Sequence, residues 1–313
     1  MANRLKGNVL ITGGLGFIGS HIVDALSGET EHKIVAYDVQ AQDEEKRNVV
    51  TVHGDVFNSD KLSKVIRGQE ISSVIHMVGL ASIPDCREKP DASFRLNVAS
   101  VRSVLEVMRL CDVERLVFPS TAAVYGATNG PEVNEKIVPT PTNVYGCHKL
   151  DAELLIRGYA ENYGFNPTIL RIFNVYGDLN KEQGVISNFL RKTIAGEPIV
   201  LEGGDQLRDF VLLEDVVEAL IKSLNGSASY RKTINVGSGV GASIKQIAEM
   251  IKQRFPNVEI LCKPARKGEY SIYADVSQMR NLLGCVATHP NVGIPRFIEK
   301  CWRMKSPVAG SSL

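Results

Sequence analysis

The stretch Asn8-Val9-Leu10-Ile11-Thr12-Gly13-Gly14-Leu15-Gly16-Phe17-Ile18-Gly19-Ser20-His21-Ile22 decides the fold. Its first five residues form a short apolar run, the pattern of a parallel strand buried on both faces. Glycines follow at once, and His21 to Leu26 continues as a helix. Glycines at 14, 16 and 19, or at 13, 16 and 19, satisfy both common spacings of a dinucleotide-binding turn. They let the backbone bend sharply and approach a pyrophosphate. The helix N-terminus then offers N–H groups and a positive dipole end.

Working outward, Lys33 to Asp38 reads as a second strand ending in an acid, 19 residues after Gly19. An acid there binds ribose hydroxyls and repels a 2′-phosphate, which favours NAD over NADP. Val49 to Asp55 is a third strand. Asp55 either accepts from an adenine amine or caps the helix expected over Leu62 to Arg67. Ser73 to Gly79, Arg115 to Ser120 and a strand opening at Thr168 to Arg171 alternate with helices over Phe94 to Leu110 and Asn143 to Tyr163. This alternation predicts an α/β fold, a Rossmann-type doubly wound parallel sheet with right-handed crossovers. Ligands in such sheets gather at the carboxyl ends of the strands. Residues 1–175 are expected to form the dinucleotide-binding domain, with 212–240 returning to it as a helix and a strand. Residues 176–211 and 241–305 are expected to form a smaller C-terminal substrate lobe, and 306–313 a frayed tail.

Two further segments carry chemistry. One is Ser120-Thr121, at a strand end. The other is Tyr145-Gly146-Cys147-His148-Lys149, at the start of a helix. Tyr145 and Lys149 are spaced i, i+4 and share a helix face. An ammonium beside a phenol stabilises the phenolate and is expected to lower the tyrosine pKa, giving a general base near neutral pH. Thr121 can share the proton through its hydroxyl. Cys147 points to another face and is expected in the core; His148 reads as a surface or packing residue.

The bulk numbers narrow the classes. The chain has 313 residues, 44% hydrophobic and 23% charged, ordinary for a soluble globular protein. Its 36 basic and 35 acidic residues leave a net charge of +1, so no global field attracts nucleic acid or an anionic membrane. The polar N-terminus lacks a signal-peptide core, and no window is apolar for long enough to span a bilayer. The six cysteines, at 86, 111, 147, 262, 285 and 301, form no CxxC pair. No metal is implied, and free thiols in a reducing cytoplasm are the expectation.

Joined to Gly54-Asp55, STAAVYG (120–126), RIFNVYG (171–177) and GDQLRDFV (204–211), these segments resemble the extended short-chain dehydrogenase/reductase family. This group comprises the NAD-dependent epimerases and dehydratases of nucleotide sugars, and the resemblance spans residues 7–305. It implies an NAD site built from Gly13, Gly16, Phe17, Ile18, Gly19, Asp38, Asp55, Val56, Val78, Gly79, Asn97, Ser120, Tyr145 and Lys149. It makes Tyr145 the base on the sugar 4-hydroxyl, Lys149 also a holder of the nicotinamide ribose, and Thr121 the third catalytic hydroxyl. Asn174, Asn188, Arg208 and Arg266 match positions that hold a nucleoside diphosphate, a task suited to the planar fork of arginine. Glu269 matches a contact to the nucleotide ribose. Ser82 and Cys86 match positions near the sugar, and Tyr273 falls where bulk excludes an N-acetyl group. The implied partner is a UDP-sugar, and the implied assembly is a homodimer through the two long helices. Apolar faces on those helices equally suit an internal core.

Common 4,6-dehydratases place an Asp-Glu pair directly after the catalytic Ser/Thr. Here Ala122 and Ala123 stand there and transfer no proton, so STAAVYG is similar to the UDP-glucose 4-epimerase pattern. Two departures stand out: His76-Met77-Val78-Gly79 replaces the usual His-Leu-Ala-Ala, and Cys86 replaces a serine. With Cys86, Cys147 and Glu135 as candidate acids or bases, they keep a dehydratase in view. The suspected type is the UDP-N-acetylglucosamine 5,6-dehydratase of tunicamycin-type biosynthesis. A third reading, a non-catalytic NAD-binding regulatory protein, is opposed by the intact Thr121, Tyr145 and Lys149.

Overall fold

The computed structural model describes residues 7–28, 31–181, 184–265 and 269–305. The first half runs β1 (Asn8–Thr12), α1 (Phe17–Ser27), β2 (Ile34–Asp38), β3 (Glu44–Lys46), β4 (Val49–His53), α2 (Ser59–Gly68), β5 (Ile71–His76), α3 (Ile83–Glu88), α4 (Pro90–Phe94) and α5 (Ser100–Leu110). Next come β6 (Arg115–Thr121), β7 (Glu132–Val133), α6 (Val144–Tyr163), β8 (Asn166–Ile172) and β9 (Asn174–Tyr176). The remainder holds α7 (Val185–Ala195), β10 (Ile199–Glu202), β11 (Leu207–Leu212), α8 (Leu213–Asn225), β12 (Lys232–Val236), β13 (Gly241–Ser243), α9 (Ile244–Arg254), β14 (Ile260–Lys263), β15 (Tyr273–Ala274), α10 (Ser277–Leu283) and α11 (Pro290–Lys305).

Eight strands make the central sheet in the order β12-β8-β6-β5-β1-β2-β4-β3. All neighbours are parallel except β3, which pairs antiparallel with β4 at the edge. The chain runs outward from β1 through β2 to β4, then returns to β5 on the other side of β1. That reversal opens a crevice at the carboxyl ends of β1 and β5. The expected doubly wound α/β sheet is therefore present. The strand β3 was not expected, since Glu44-Glu45-Lys46 carries no apolar signal; exposed charges suit an edge that must not pair further.

Alternation along the strands feeds two cores. Ile11 packs with Ile22, Leu170, Val216 and Ile234 on one face. Its neighbour Leu10 packs with Val35, Leu62, Leu105, Phe118 and Ile156 on the other. Helices α1 and α8 cover the first face; α2, α5 and α6 cover the second. A fully buried side chain of this kind contributes about 1.5–3 kcal/mol. The first core also takes Ile272, Ala274, Met279 and Leu283, so the chain rejoins it after the 212–240 return. A third core of Tyr176, Leu190, Phe210, Ile247 and Phe297 lies among α7, α9, α11 and β11.

The helix expected over Phe94 to Leu110 is interrupted. Residues Arg95–Ala99 form a π-turn, and Asn97 is buried within it. Such bulges concentrate at functional sites.

Candidate active site

At the end of β1 the glycine turn is sterically committed. Gly13 has φ +71°, and a Cβ there would lie 2.9 Å from the Val78 nitrogen. A Cβ on Gly19 would lie 2.2 Å from the Gly13 oxygen. Gly16 caps α1 without a side-chain hydrogen bond. Phe17 and Ile18 form the first turn of α1. The Asp38 carboxylate sits beside this turn, with Oδ2 accepting from the Leu15 N–H at 3.2 Å and Oδ1 from the Gln40 N–H at 2.9 Å. A glycine-rich turn, a helix N-terminus and a fixed acid together fit a dinucleotide.

Asp55 does not cap α2. Its Oδ1 accepts from the Phe57 N–H at 3.0 Å, whereas Asn58 caps the helix by accepting from the Lys61 N–H at 3.0 Å. Val56 is buried beside it. The loop after β5 holds Val78 and Gly79, and Asn97 fixes it through Leu80. Asn97 accepts from the Leu80 N–H at 3.1 Å and donates to the Leu80 carbonyl at 3.0 Å. Deeper in, His76 Nδ1 pairs with the Thr12 hydroxyl at 2.7 Å and Nε2 with the Ser100 hydroxyl at 3.1 Å. Burial, helped by the nearby Lys149, pushes His76 down to about 3.

Strand β6 ends at Thr121, whose Oγ1 accepts from the Ala123 N–H at 3.2 Å. Asn143 caps α6 by accepting from the Gly146 N–H at 2.9 Å. Gly146 lets α6 press on the end of β6, because a Cβ there would lie 2.5 Å from the Ala123 oxygen. This close approach brings Tyr145 beside Thr121, whose side chain bears on the phenol. Lys149 is buried, with Nζ 4.0 Å from the centre of the Phe118 ring.

The electrostatics correct one expectation. The Tyr145 phenol is raised to about 12, chiefly by burial, with the Thr121 side chain opposing. Lys149 is lowered to about 7 by burial, with Glu153 opposing. Loss of water outweighs any help the ammonium gives the phenolate. The phenol is therefore neutral in the ligand-free chain.

Several candidates lie elsewhere than expected. Cys147 is exposed, not in the core: two positions from Tyr145, it faces out when Tyr145 and Lys149 face in. Cys86 is buried in α3, which Ser82 caps, and its thiol donates to the Leu80 carbonyl at 3.2 Å. Burial raises its pKa, so a thiolate base at Cys86 is disfavoured. Glu135 is tied up structurally, accepting from the Asn235 N–H at 2.8 Å and from Gln278 Nε2 at 2.7 Å. The Ser120 hydroxyl donates to Glu153 Oε1 at 2.6 Å. His148 packs edge-on against Phe94 and pairs with the Ser93 hydroxyl at 2.8 Å.

In the second lobe, Arg208 projects from β11 over the Tyr270 ring and donates to the Leu207 and Tyr270 carbonyls. Burial lowers its pKa, and Glu269 is close enough to oppose that shift. Tyr273 packs on Gly241, where a Cβ would lie 2.9 Å from its ring. Asn174, at the start of β9, donates to the Asp209 carbonyl at 3.0 Å. Asn188 is exposed on α7. Arg266 lies outside the described residues.

Sequence reasoning missed the residues that hold these groups. Asp209 is fully buried and accepts from Ser238 N (2.6 Å), Ser238 Oγ (2.7 Å), Gly239 N (3.0 Å) and Ala274 N (3.1 Å), tying β11 to two distant segments of the chain. Glu153, one helical turn beyond Lys149 on α6, forms a buried ion pair with Arg171. The only available signal for Glu153 was its i+4 spacing from Lys149.

Comparison with known proteins bears on the family and the fold. The profile described as the NAD dependent epimerase/dehydratase family matches residues 9–237. A UDP-glucose 4-epimerase of Lactobacillus helveticus is 30% identical, covering 91% of this chain and 93% of that protein. Among solved structures, the UDP-glucose 4-epimerase of Thermotoga maritima with UDP-glucose is 26% identical with a TM-score of 0.87, covering 96% and 100% of the two chains. MoeE5, in complex with UDP-glucose and NAD, is 32% identical with a TM-score of 0.85, covering 96% and 100%.

Proposed function

The chain belongs to the NAD-dependent epimerase/dehydratase family, and we propose that it is a 4-epimerase of a UDP-hexose or UDP-hexosamine acting through transient oxidation at C4. One observation carries the choice of epimerase. Thr121, Tyr145 and Lys149 converge at the end of β6, and the described residues around them supply no second acid–base pair. Ala122 and Ala123 follow Thr121, Cys86 is held as a thiol, and Glu135 is bound to Asn235 and Gln278. Dehydration needs that extra pair, whereas epimerisation needs one group that takes a proton and gives it back.

The residues that would hold NAD are the 13–19 turn, Asp38, and the Val78–Gly79 loop fixed by Asn97. When bound, NAD supplies a hydride acceptor for C4 and a cationic ring whose charge favours a phenolate. Tyr145 then takes the 4-hydroxyl proton, with Thr121 holding the phenol and sharing the hydrogen bond. The Lys149 ammonium donates to ribose hydroxyls and adds positive charge beside the phenol. Because the phenol starts at about 12, the site deprotonates only once that charge is assembled. Arg208 binds diphosphate oxygens with its planar fork. The bulk of Tyr273 favours a plain hexose over an N-acetylated one.

Phe94, Leu110, Leu154 and Tyr163 are exposed on α4, α5 and α6, which supports a homodimer through these helices. No helix among the described residues is long and apolar enough to cross a membrane. The six free cysteines support a cytoplasmic location.

The test is product analysis after incubation with NAD and UDP-glucose. An unchanged mass with a new axial/equatorial H4 coupling is expected. Loss of one water with vinylic protons would instead establish a dehydratase.

A further inference from the structure

The buried carboxylate of Glu153 is positioned more tightly than any other side chain around Lys149. It is fully buried one helical turn beyond Lys149 on the same face of α6. Ser120 Oγ donates to Oε1 at 2.6 Å and Arg171 Nε to the same oxygen at 3.0 Å. Arg171 Nη2 donates to Oε2 at 2.7 Å, and Arg157 Nη2 to Oε2 at 3.1 Å. The Arg171 guanidinium lies on the Tyr125 ring, and the Tyr125 hydroxyl is anchored to Asn235 Oδ1 at 2.6 Å. A buried ion pair of this kind seldom gains stability over apolar packing. Its arrangement calls for another reason.

The neighbours of Lys149 supply one. Lys149 lies on the Phe118 ring of β6 and near His76 of β5, with Tyr145 one helical turn before it and Glu153 one turn after it on α6. His76 is held neutral and Tyr145 is a neutral phenol in the ligand-free chain. Glu153, buried one turn further along α6, is the acidic neighbour that opposes the loss of charge at Lys149. Arg171 from β8 and Arg157 from α6 contact its carboxylate and fix it in place.

We propose that Glu153 is a positioning residue that keeps Lys149 charged at working pH, with Ser120 and Arg171 fixing where its negative charge sits. The proposal rests on the reading that Lys149 works as an ammonium. Burial alone drives a lysine toward the neutral amine, and Glu153 opposes that drive. Without the carboxylate, Lys149 reaches the ammonium form only at lower pH. Activity that depends on the ammonium should then retreat in the same direction.

The test is an NMR titration of ligand-free protein carrying 13C-labelled lysine, with the Lys149 Cε signal assigned by its loss in Lys149→Met. In Glu153→Gln the Lys149 midpoint should fall by about one pH unit or more. The alkaline limb of the pH–rate profile should move with it, and kcat should recover as pH is lowered. An unchanged midpoint in folded Glu153→Gln overturns the proposal. Should that variant fail to fold, Glu153→Asp, which draws the carboxylate back by one methylene, decides. A lowered Lys149 midpoint is expected; an unchanged midpoint overturns the proposal. The midpoint is read without substrate, so a failed epimerase assay bears on the proposed reaction and leaves this titration interpretable.

Discussion

Asp38 Oδ2 accepts a hydrogen bond from the Leu15 N–H at 3.2 Å, so the acid that closes β2 holds the turn that follows β1. The carboxylate thus shapes the turn, and in the proposed NAD site it would also repel a 2′-phosphate. A hydrogen bond to a charged group contributes about 1.5–3 kcal/mol, equivalent to about ten- to a hundredfold in affinity. Asp38→Ala should weaken NAD binding by that factor and narrow the preference over NADP. Calorimetric titration with both dinucleotides checks this; equal losses for the two would remove the selectivity role.

His76 makes the fold acid-sensitive. Its folded pKa is about 3 against an ordinary 6.5, so an unfolded chain takes up a proton in that window that the folded chain refuses. Stability should therefore fall as pH drops from 6.5 toward 3, by up to about 1.4 kcal/mol per pH unit for this proton. Urea unfolding of His76→Gln across the same window should show a shallower dependence. Parallel curves for the two proteins would contradict the assignment.

The thiols divide by burial. Cys147 and Cys262 are exposed, whereas Cys86, Cys285 and Cys301 are buried. Brief treatment of native protein with a thiol reagent, followed by peptide mapping, should label Cys147 and Cys262 first. Cys86 should react only after unfolding, since burial raises its pKa. Rapid native labelling of Cys86 would reopen its role as a base.

Arg208 offers a fork rather than a point charge. Arg208→Lys keeps the charge but loses the bidentate geometry and the stacking on Tyr270. The KM for the UDP-sugar should rise about tenfold with kcat little changed, the pattern of lost uniform binding. A drop in kcat at constant KM would place Arg208 in the chemistry instead.

The sheet and the nucleotide turn were legible because both are local. An apolar run such as Val9–Ile11 and glycines at fixed offsets declare themselves within a few residues. The placement of Tyr145 and Lys149 on one helix was legible for the same reason, the two being one helical turn apart. Their protonation was not, because burial depends on residues as distant as His76 and Phe118. Cys147 was misplaced because spacing gives the angle around a helix but not which side meets the core. Glu135 lay open in sequence, yet its partners Asn235 and Gln278 are about a hundred or more positions away. The buried pair Glu153–Arg171 joins a helix to a strand, and no short pattern announces such a contact.

The central claim is that the hydrogen on C4 leaves and returns within one active site while Tyr145 handles the hydroxyl proton. The most direct measurement follows UDP-[4-2H]glucose incubated with the protein and NAD in ordinary water, with the product read by NMR and mass spectrometry. The account predicts a C4 epimer of unchanged mass that retains deuterium at C4, and Tyr145→Phe should slow its formation by about 10²–10⁴-fold. Loss of the deuterium to solvent, loss of water, or full activity in Tyr145→Phe would contradict it.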